Sequence, residues 1–413
     1  MKFHTALRPW AVRRLEKIEN ADIVVGIPCL NNDATISHVI DMVSEGLAKY
    51  YKNLRTVLII SDGGSTDDTR EVAKDKSIHP FIEKIITIYR GIPGKGSALR
   101  MIFESASSLK AKVCVLCDAD LRSINPEWVR TLAEPVLTHG HDFVAPVYTR
   151  YKYDATITNN IAYNLIRALF GKRVRQPIGG DFGLSKDMIN FYFYCSRDVW
   201  VTDIARFGID IWMTTSAIMN DVSICEAYLG SKVHDTKDPA ESLGPMFRQV
   251  VHTLFQLMED YSEKWKNIQK SESVHRYGSP VSGEPHPFSV SIEAMIENFK
   301  EGFNNFASFS KSIINPQSFE ALQELSRKKK NRDFRMKTED WAKIVYDFAA
   351  TFHKWKRDRG KLVDLMRPLY YARVASFINE TGGMETYQAE KVIEKQAQTF
   401  EYLKPYLLKI WKD

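Results

Sequence analysis

Two periodicities alternate along the first part of the chain. Asp22-Ile23-Val24-Val25-Gly26-Ile27-Pro28 is almost continuously apolar and reads as a buried strand, whereas Ile36, Val39, Ile40, Val43 and Leu47 recur at helical spacing over Thr35–Tyr50. Thr56–Ile60, Ile85–Ile88 and Val113–Cys117 repeat the strand pattern, and Ser65-Thr66-Asp67-Asp68 supplies N-cap side chains for a helix after the second strand. Strands apolar on both faces and separated by helices predict an α/β fold with a mostly parallel sheet covered on both sides. Such sheets bind ligands beyond the carboxyl ends of their strands. Three polar loops fall there: Pro28-Cys29-Leu30-Asn31-Asn32-Asp33, Ser61-Asp62-Gly63-Gly64-Ser65 and Asp118-Ala119-Asp120.

The pattern is less regular over residues 140–255. The Pro/Gly/Ser-rich run Gly278–Pro287 predicts a boundary between residues 1–277 and a helical region, 288–413. In that region Trp341, Ile344, Val345, Phe348, Phe352 and Trp355 fall on one stripe, the signature of a packing face. Arg327-Lys328-Lys329-Lys330-Asn331-Arg332 reads as a solvated basic loop.

With 413 residues, 44% hydrophobic and 26% charged, the chain has room for a large core and is far from a disordered composition. No run approaches the ~20 apolar residues of a membrane span, and no apolar signal segment follows Met1, so a cytoplasmic protein without integral membrane segments is expected. A net charge of +6 does not argue for nucleic acid at this length. The five scattered cysteines suit reduced thiols, and the Cys114/Cys117 pair lies inside an apolar strand rather than in a zinc or redox setting.

Asp118-Ala119-Asp120 puts two carboxylates at a strand end, where they can hold a divalent cation that bridges phosphates. The same triplet also suits an Asx turn or the cap of the helix opened by Asn125-Pro126. Neither GxGxxG nor GxxxxGK[ST] is present, so the first loop suits a base and ribose better than a phosphate. Asp62 can accept from a base N–H or serve the turn before Gly63-Gly64. Lys95, between Gly94 and Gly96 ahead of a helix, has the form of a phosphate contact. His234 is either a metal ligand from a distant loop or an ordinary surface or core histidine.

Ile27–Asn32 (IPxLNN), Ser61–Thr69 (SDGGSTDDT), Gly94–Leu99 (GKGSAL) and Asp118–Asp120 (DAD) together resemble the GT-A glycosyltransferases, over about the first 150 residues. Gln176–Phe182, Phe207–Ile211, Lys232–His234 and Leu243–Val250 narrow the resemblance to the retaining glucosyl-3-phosphoglycerate and glucosylglycerate synthases. The resemblance implies a GT-A domain over 1–277, with a nucleotide-binding half at about 20–150 and an acceptor-binding half at about 151–277. It implies a nucleoside diphosphate sugar donor held by Pro28, Cys29, Leu30, Asn32, Asp62, Gly63, Lys95, Asp118, Ala119, Asp120, Gly180 and Asp210. Asp120 and His234 would ligate Mg²⁺ or Mn²⁺, with Asp118, Asp120, Lys95 and Asp210 serving catalysis. Thr158, Gly179, Gly180 and Lys232 would contact the acceptor.

Two departures bear on substrates. Asp210 stands where the family has a glutamate against the transferred sugar. An acceptor-binding Gly-Arg-Val-Thr stretch is represented by Ala155-Thr156-Ile157-Thr158, without the arginine, and Arg150, Lys152, Arg173 and Arg175 are candidate replacements. The expected reaction moves a hexosyl group, glucosyl by resemblance, from UDP- or GDP-glucose to the 2-hydroxyl of 3-phosphoglycerate or glycerate with retention. A homodimer is also expected. Competing readings are mannosyl transfer, a polysaccharide or lipid-linked acceptor, nucleotidyl transfer, and a non-catalytic binding protein.

Overall fold

The computed structural model describes residues 3–234, 244–280, 285 and 287–412. The chain forms two compact units, one of Met1–Thr149, Arg175–Asp235 and Val274–Pro285, the other of Arg150–Val174, Thr236–Ser273 and His286–Asp413. This division differs from the single break expected at 278–287, of which 281–284 and 286 lie outside the described residues.

The apolar runs become β1 (Ile23–Cys29), β2 (Thr56–Asp62), β3 (Ile82–Ile88) and β4 (Val113–Leu116), followed by β5 (Phe143–Thr149). After β6 (Lys172–Arg173) come β7 (Phe182–Ser185), β8 (Ile224–Ser231), β9 (Glu272–Ser273) and β10 (His275–Tyr277). The first unit holds an eight-stranded sheet of order β10-β8-β5-β7-β4-β1-β2-β3. Its strands are parallel except β7, which runs antiparallel between β4 and β5. β6 and β9 form a separate parallel pair in the second unit.

The helices of the first unit are α1 (Pro9–Ile18), α2 (Asp33–Tyr51), α3 (Thr69–Asp75), α4 (Lys95–Ser108) and α5 (Pro126–His139), then α7 (Lys186–Tyr194) and α8 (Ile209–Met219), with α6 (Tyr163–Phe170) in the second unit. One sheet face buries Ile23, Val25, Ile27 and Cys29 against Ile36, Val39 and Val43 of α2 and Trp128 of α5. On the other face α4 approaches β1 so closely that a Cβ on Gly26 would meet Ile102 at 2.4 Å. The chain passes from β1 outward to β2 and β3 and returns to β4 on the other side of β1. That switch opens a crevice at the carboxyl ends of β1 and β4.

Asn125 caps α5 by accepting from the Glu127 N–H at 3.0 Å, so the Asp118–Asp120 triplet is not that cap. Ahead of α3 the Ser65–Asp68 stretch supplies a capping side chain as expected, from Asp67 rather than Asp68. Asp68, at the N-cap, makes no side-chain cap bond, and Asp67 Oδ1 accepts from the Thr69 N–H at 3.1 Å.

The second unit is helical around Thr338–Lys354, whose Trp341, Ile344, Val345, Phe348 and Phe352 are fully buried. Trp355 leaves the stripe because the helix ends at Lys354, and it is 37% exposed. Arg327–Lys330 and Arg332 are solvent-exposed, as a solvated basic loop requires. All five cysteines are free thiols, four of them buried. No helix among the described residues is long and apolar enough to cross a membrane.

Candidate active site at the strand ends

The three polar loops meet as the sheet topology demands. Asn31, at φ 54°, donates its N–H to Ser65 Oγ at 3.0 Å and accepts from the Thr66 N–H at 2.9 Å. The Asn32 N–H donates to Thr69 Oγ1 at 2.7 Å, and the Asn32 side chain accepts from the Leu30 N–H at 2.9 Å. Thr35 Oγ1 then donates to the carbonyl of Ala119 at 2.8 Å, joining the first loop to the third. Pro28 and Cys29 lie buried in β1, while Leu30 projects with 57% of its surface exposed. Burial holds the Cys29 thiol well above its ordinary range, so it is an inert neutral group at physiological pH.

Asp62 organises the second loop. It is fully buried, and its carboxylate accepts from the Gly64 N–H at 2.9 Å, the Ser65 N–H at 3.1 Å and Ser65 Oγ at 2.5 Å. It builds the turn around Gly63. The two glycines beside Lys95 lie against Ile204–Arg206. A Cβ on Gly94 would meet the Ala205 carbonyl at 2.6 Å and one on Gly96 the Ile204 carbonyl at 1.8 Å, while the Gly96 N–H donates to the Arg206 carbonyl at 3.1 Å. They let the start of α4 pack on the segment ahead of α8.

Lys95 itself stands in an ionic chain. Its Nζ lies 2.8 Å from Asp118 Oδ1 and 3.0 Å from Asp210 Oδ2. Asp118 Oδ2 in turn accepts from Lys232 Nζ at 3.0 Å, and Lys232 also donates to Asp181 Oδ2 and the Gly179 carbonyl, each at 2.8 Å. Burial alone would lower Lys95, but the carboxylates of Asp118 and Asp210 outweigh it and hold the ammonium above the ordinary lysine range. Burial would raise Asp118, yet Lys95 and Lys232 outweigh it and keep this carboxyl below its usual range. Asp181 and Asp210 are pushed up by burial, which the neighbouring ammonium groups offset only in part.

Asp210 Oδ1 is buried without a hydrogen-bond partner, an acceptor next to the Lys95 ammonium. Lys232, expected at the acceptor, donates to the carboxylates of Asp118 and Asp181 and to the Gly179 carbonyl and so braces the two carboxylates. Thr158 belongs to the second unit, where it is buried and its Oγ1 has no partner. Among the candidate replacement cations, Lys152 donates to the carbonyls of Thr381, Gly382 and Met384, Arg150 Nε to Asp154 Oδ2 at 2.8 Å, and Arg173 Nε to Ser271 Oγ at 2.9 Å. The Arg175 N–H donates to Glu226 Oε1.

The backbone brings His234 against Leu121, the residue that follows Asp120. Leu121 pairs with His234 in an antiparallel bridge, and the Arg122 N–H donates to the Val233 carbonyl at 2.8 Å. No group of three His, Cys, Asp or Glu able to hold a metal ion occurs among the described residues. One carboxylate and one imidazole nevertheless fit a hexacoordinate divalent cation of the kind that takes its remaining ligands from phosphate oxygens and water.

Two residues of this site escaped the sequence reading. Asp181 accepts from the Asp118 N–H at 2.8 Å, and Tyr148 donates its hydroxyl to Asp181. Asp181 was legible only as the polar residue between Gly179-Gly180 and an apolar strand, and Tyr148 carried no signal.

Residues 24–192 match the model of glycosyl transferase family 2. Over that stretch, less than half of its length, the chain resembles the GT-A glycosyltransferases. It is similar to the glucosyl-3-phosphoglycerate synthase of Mycobacterium tuberculosis, 28% identical over 268 residues that cover 59% of this chain and 76% of the relative. It is also similar to the synthase of that name from Petrotoga mobilis, 23% identical over 277 residues, 63% of this chain and 80% of the relative. A crystal structure of the Mycobacterium tuberculosis enzyme with Mn²⁺, UDP and glucosyl-3-phosphoglycerate aligns with a TM-score of 0.45 at 26% identity, covering 61% of this chain and 85% of that one.

Proposed function

We propose that this glycosyltransferase moves a glucosyl group from a nucleoside diphosphate sugar to the 2-hydroxyl of 3-phosphoglycerate or glycerate, with retention and with Mg²⁺ or Mn²⁺. The observation that supports the reading is the pairing of His234 with Leu121, the residue that follows Asp120. A divalent cation held by Asp120 and His234 would offset the charge of the departing diphosphate. Lys95 uses two of its N–H groups on Asp118 and Asp210 and has a third for a phosphate oxygen, a preorganised charge that favours departure of the leaving group. The unpartnered Asp210 Oδ1 would accept a hydroxyl of the transferred sugar. Asp118 and Asp210 are both bound to Lys95, so neither is assigned as a covalent nucleophile, and the reading is front-face transfer in which the leaving phosphate takes the acceptor proton.

Free glycerate is a second reading for the acceptor. It is favoured by the loss of the family arginine at Ala155–Thr158 and by the engagement of Lys152 with three backbone carbonyls. The deciding experiment incubates the purified protein with Mg²⁺, UDP-glucose and GDP-glucose, and equal 3-phosphoglycerate and D-glycerate, and identifies the product by NMR. A phosphorylated α-glucoside supports the synthase reading, and glucosylglycerate supports the second. No glucoside of either acceptor overturns both.

A further inference from the structure

Asp181 is a fully buried carboxylate that the reaction, as proposed, does not use. Both of its oxygens are committed to one neighbour by two independent routes. Oδ1 accepts from the backbone N–H of Asp118 at 2.8 Å, and Oδ2 accepts from Lys232 Nζ at 2.8 Å while Lys232 holds the Asp118 side chain at 3.0 Å. Tyr148 donates a further hydrogen bond to Oδ2. The adjoining Gly180, at φ 90°, lets the chain pass directly against the Asp118 carboxylate.

We propose that Asp181 is a positioning residue, which fixes Asp118 through its backbone and through Lys232 and thereby sets how Lys95 is shared between Asp118 and Asp210. This inference rests on the glycosyltransferase reading above. A strand end held only by its ladder can rotate about its last peptide. Here the Asp118 amide is tied to a carboxylate that is itself held by an ammonium and a phenol. Two anions flank Lys232, so its charge is divided between them. Without the charge on Asp181, Lys232 would bear more strongly on Asp118 and draw it from Lys95.

The substitution Asp181→Asn tests this, because the amide oxygen can keep the bond to the Asp118 N–H while the charge facing Lys232 is lost. Binding of UDP and of GDP to the full chain is measured by calorimetry across a Mg²⁺ titration, with thermal unfolding as a check on folding. Outer groups that orient a metal or phosphate site are worth about 10–100-fold when removed. D181N is therefore expected to weaken Mg²⁺-dependent nucleotide binding by about that factor, and Tyr148→Phe to shift it in the same direction by less. A folded D181N that binds within twofold of the wild type, at an unchanged half-saturating Mg²⁺ concentration, overturns the inference. If D181N does not fold, an unchanged Mg²⁺ dependence in Y148F overturns it instead. Failure of the wild type to bind either nucleotide would overturn the glycosyltransferase reading and this inference with it.

Discussion

Gly180 lies so near Asp118 that a Cβ on it would stand 2.0 Å from the Asp118 carboxylate oxygen Oδ2. The backbone there also has φ 90°, a region that side chains rarely tolerate. The substitution Gly180→Ala is therefore expected to cost about 1–3 kcal/mol of stability and to abolish transfer by displacing Asp118. Urea unfolding and a transfer assay check the two effects. Wild-type turnover in this variant would mean that Asp118 need not stand where it does.

Lys95 is the cation shared by Asp118 and Asp210, and all three side chains are largely buried. Removing one partner of such a group leaves charge without compensation, at about 3–5 kcal/mol for a fully buried pair, and the residual exposure of this site places Lys95→Met at the lower end. Loss of a preorganised charge at the leaving group is expected to lower kcat by about 10²–10³. Steady-state kinetics that leave kcat within threefold of wild type would remove Lys95 from the reaction.

The bridge between Leu121 and His234 leads to a paired expectation for the two proposed metal ligands. Asp120→Ala should abolish metal-dependent transfer. His234→Ala should raise the half-saturating Mg²⁺ concentration by about tenfold or more, with activity partly regained at high metal. An unchanged metal titration in both variants would sink the assignment.

Acid stability should depend on Asp22, at the start of β1. Its side chain accepts from Arg55, through the N–H at 3.0 Å and Nε at 3.3 Å, and faces Lys112 at 3.0 Å, which holds its carboxyl well below the usual range despite its burial. A depressed carboxyl contributes stability that is present above its unfolded value of about 3.9 and lost as pH falls below it. Arg55 and Lys112 are exposed, so solvent screening limits the contribution to about 1–2 kcal/mol. Asp22→Asn should be less stable by that amount at pH 7, and the gap from wild type should narrow between pH 4 and pH 2. Denaturant melts across this range would refute the assignment if the gap stayed constant.

Much of the fold was legible because its signals are local. The near-continuous apolar runs at Asp22–Pro28, Thr56–Ile60 and Val113–Cys117 became adjacent parallel strands, since only a strand covered on both faces buries every side chain. The polar loops at their ends, and Asp118-Ala119-Asp120 among them, followed from that reading. What Asp62, Lys95 and Lys232 actually touch did not. Asp62 suited a ligand contact or its turn, and only the folded chain places the Gly64 and Ser65 N–H groups on it. Lys95 meets Asp210 across 115 positions, and Lys232 meets Asp118 across 114. Contacts of that span are set by sheet order, the antiparallel course of β7 and the path of the loops beyond the strands. The sequence by itself determined which segments are strands and which strand ends carry charge. The tertiary structure alone decided how those charges are paired, because an ion pair depends on distance in space and no local pattern encodes it.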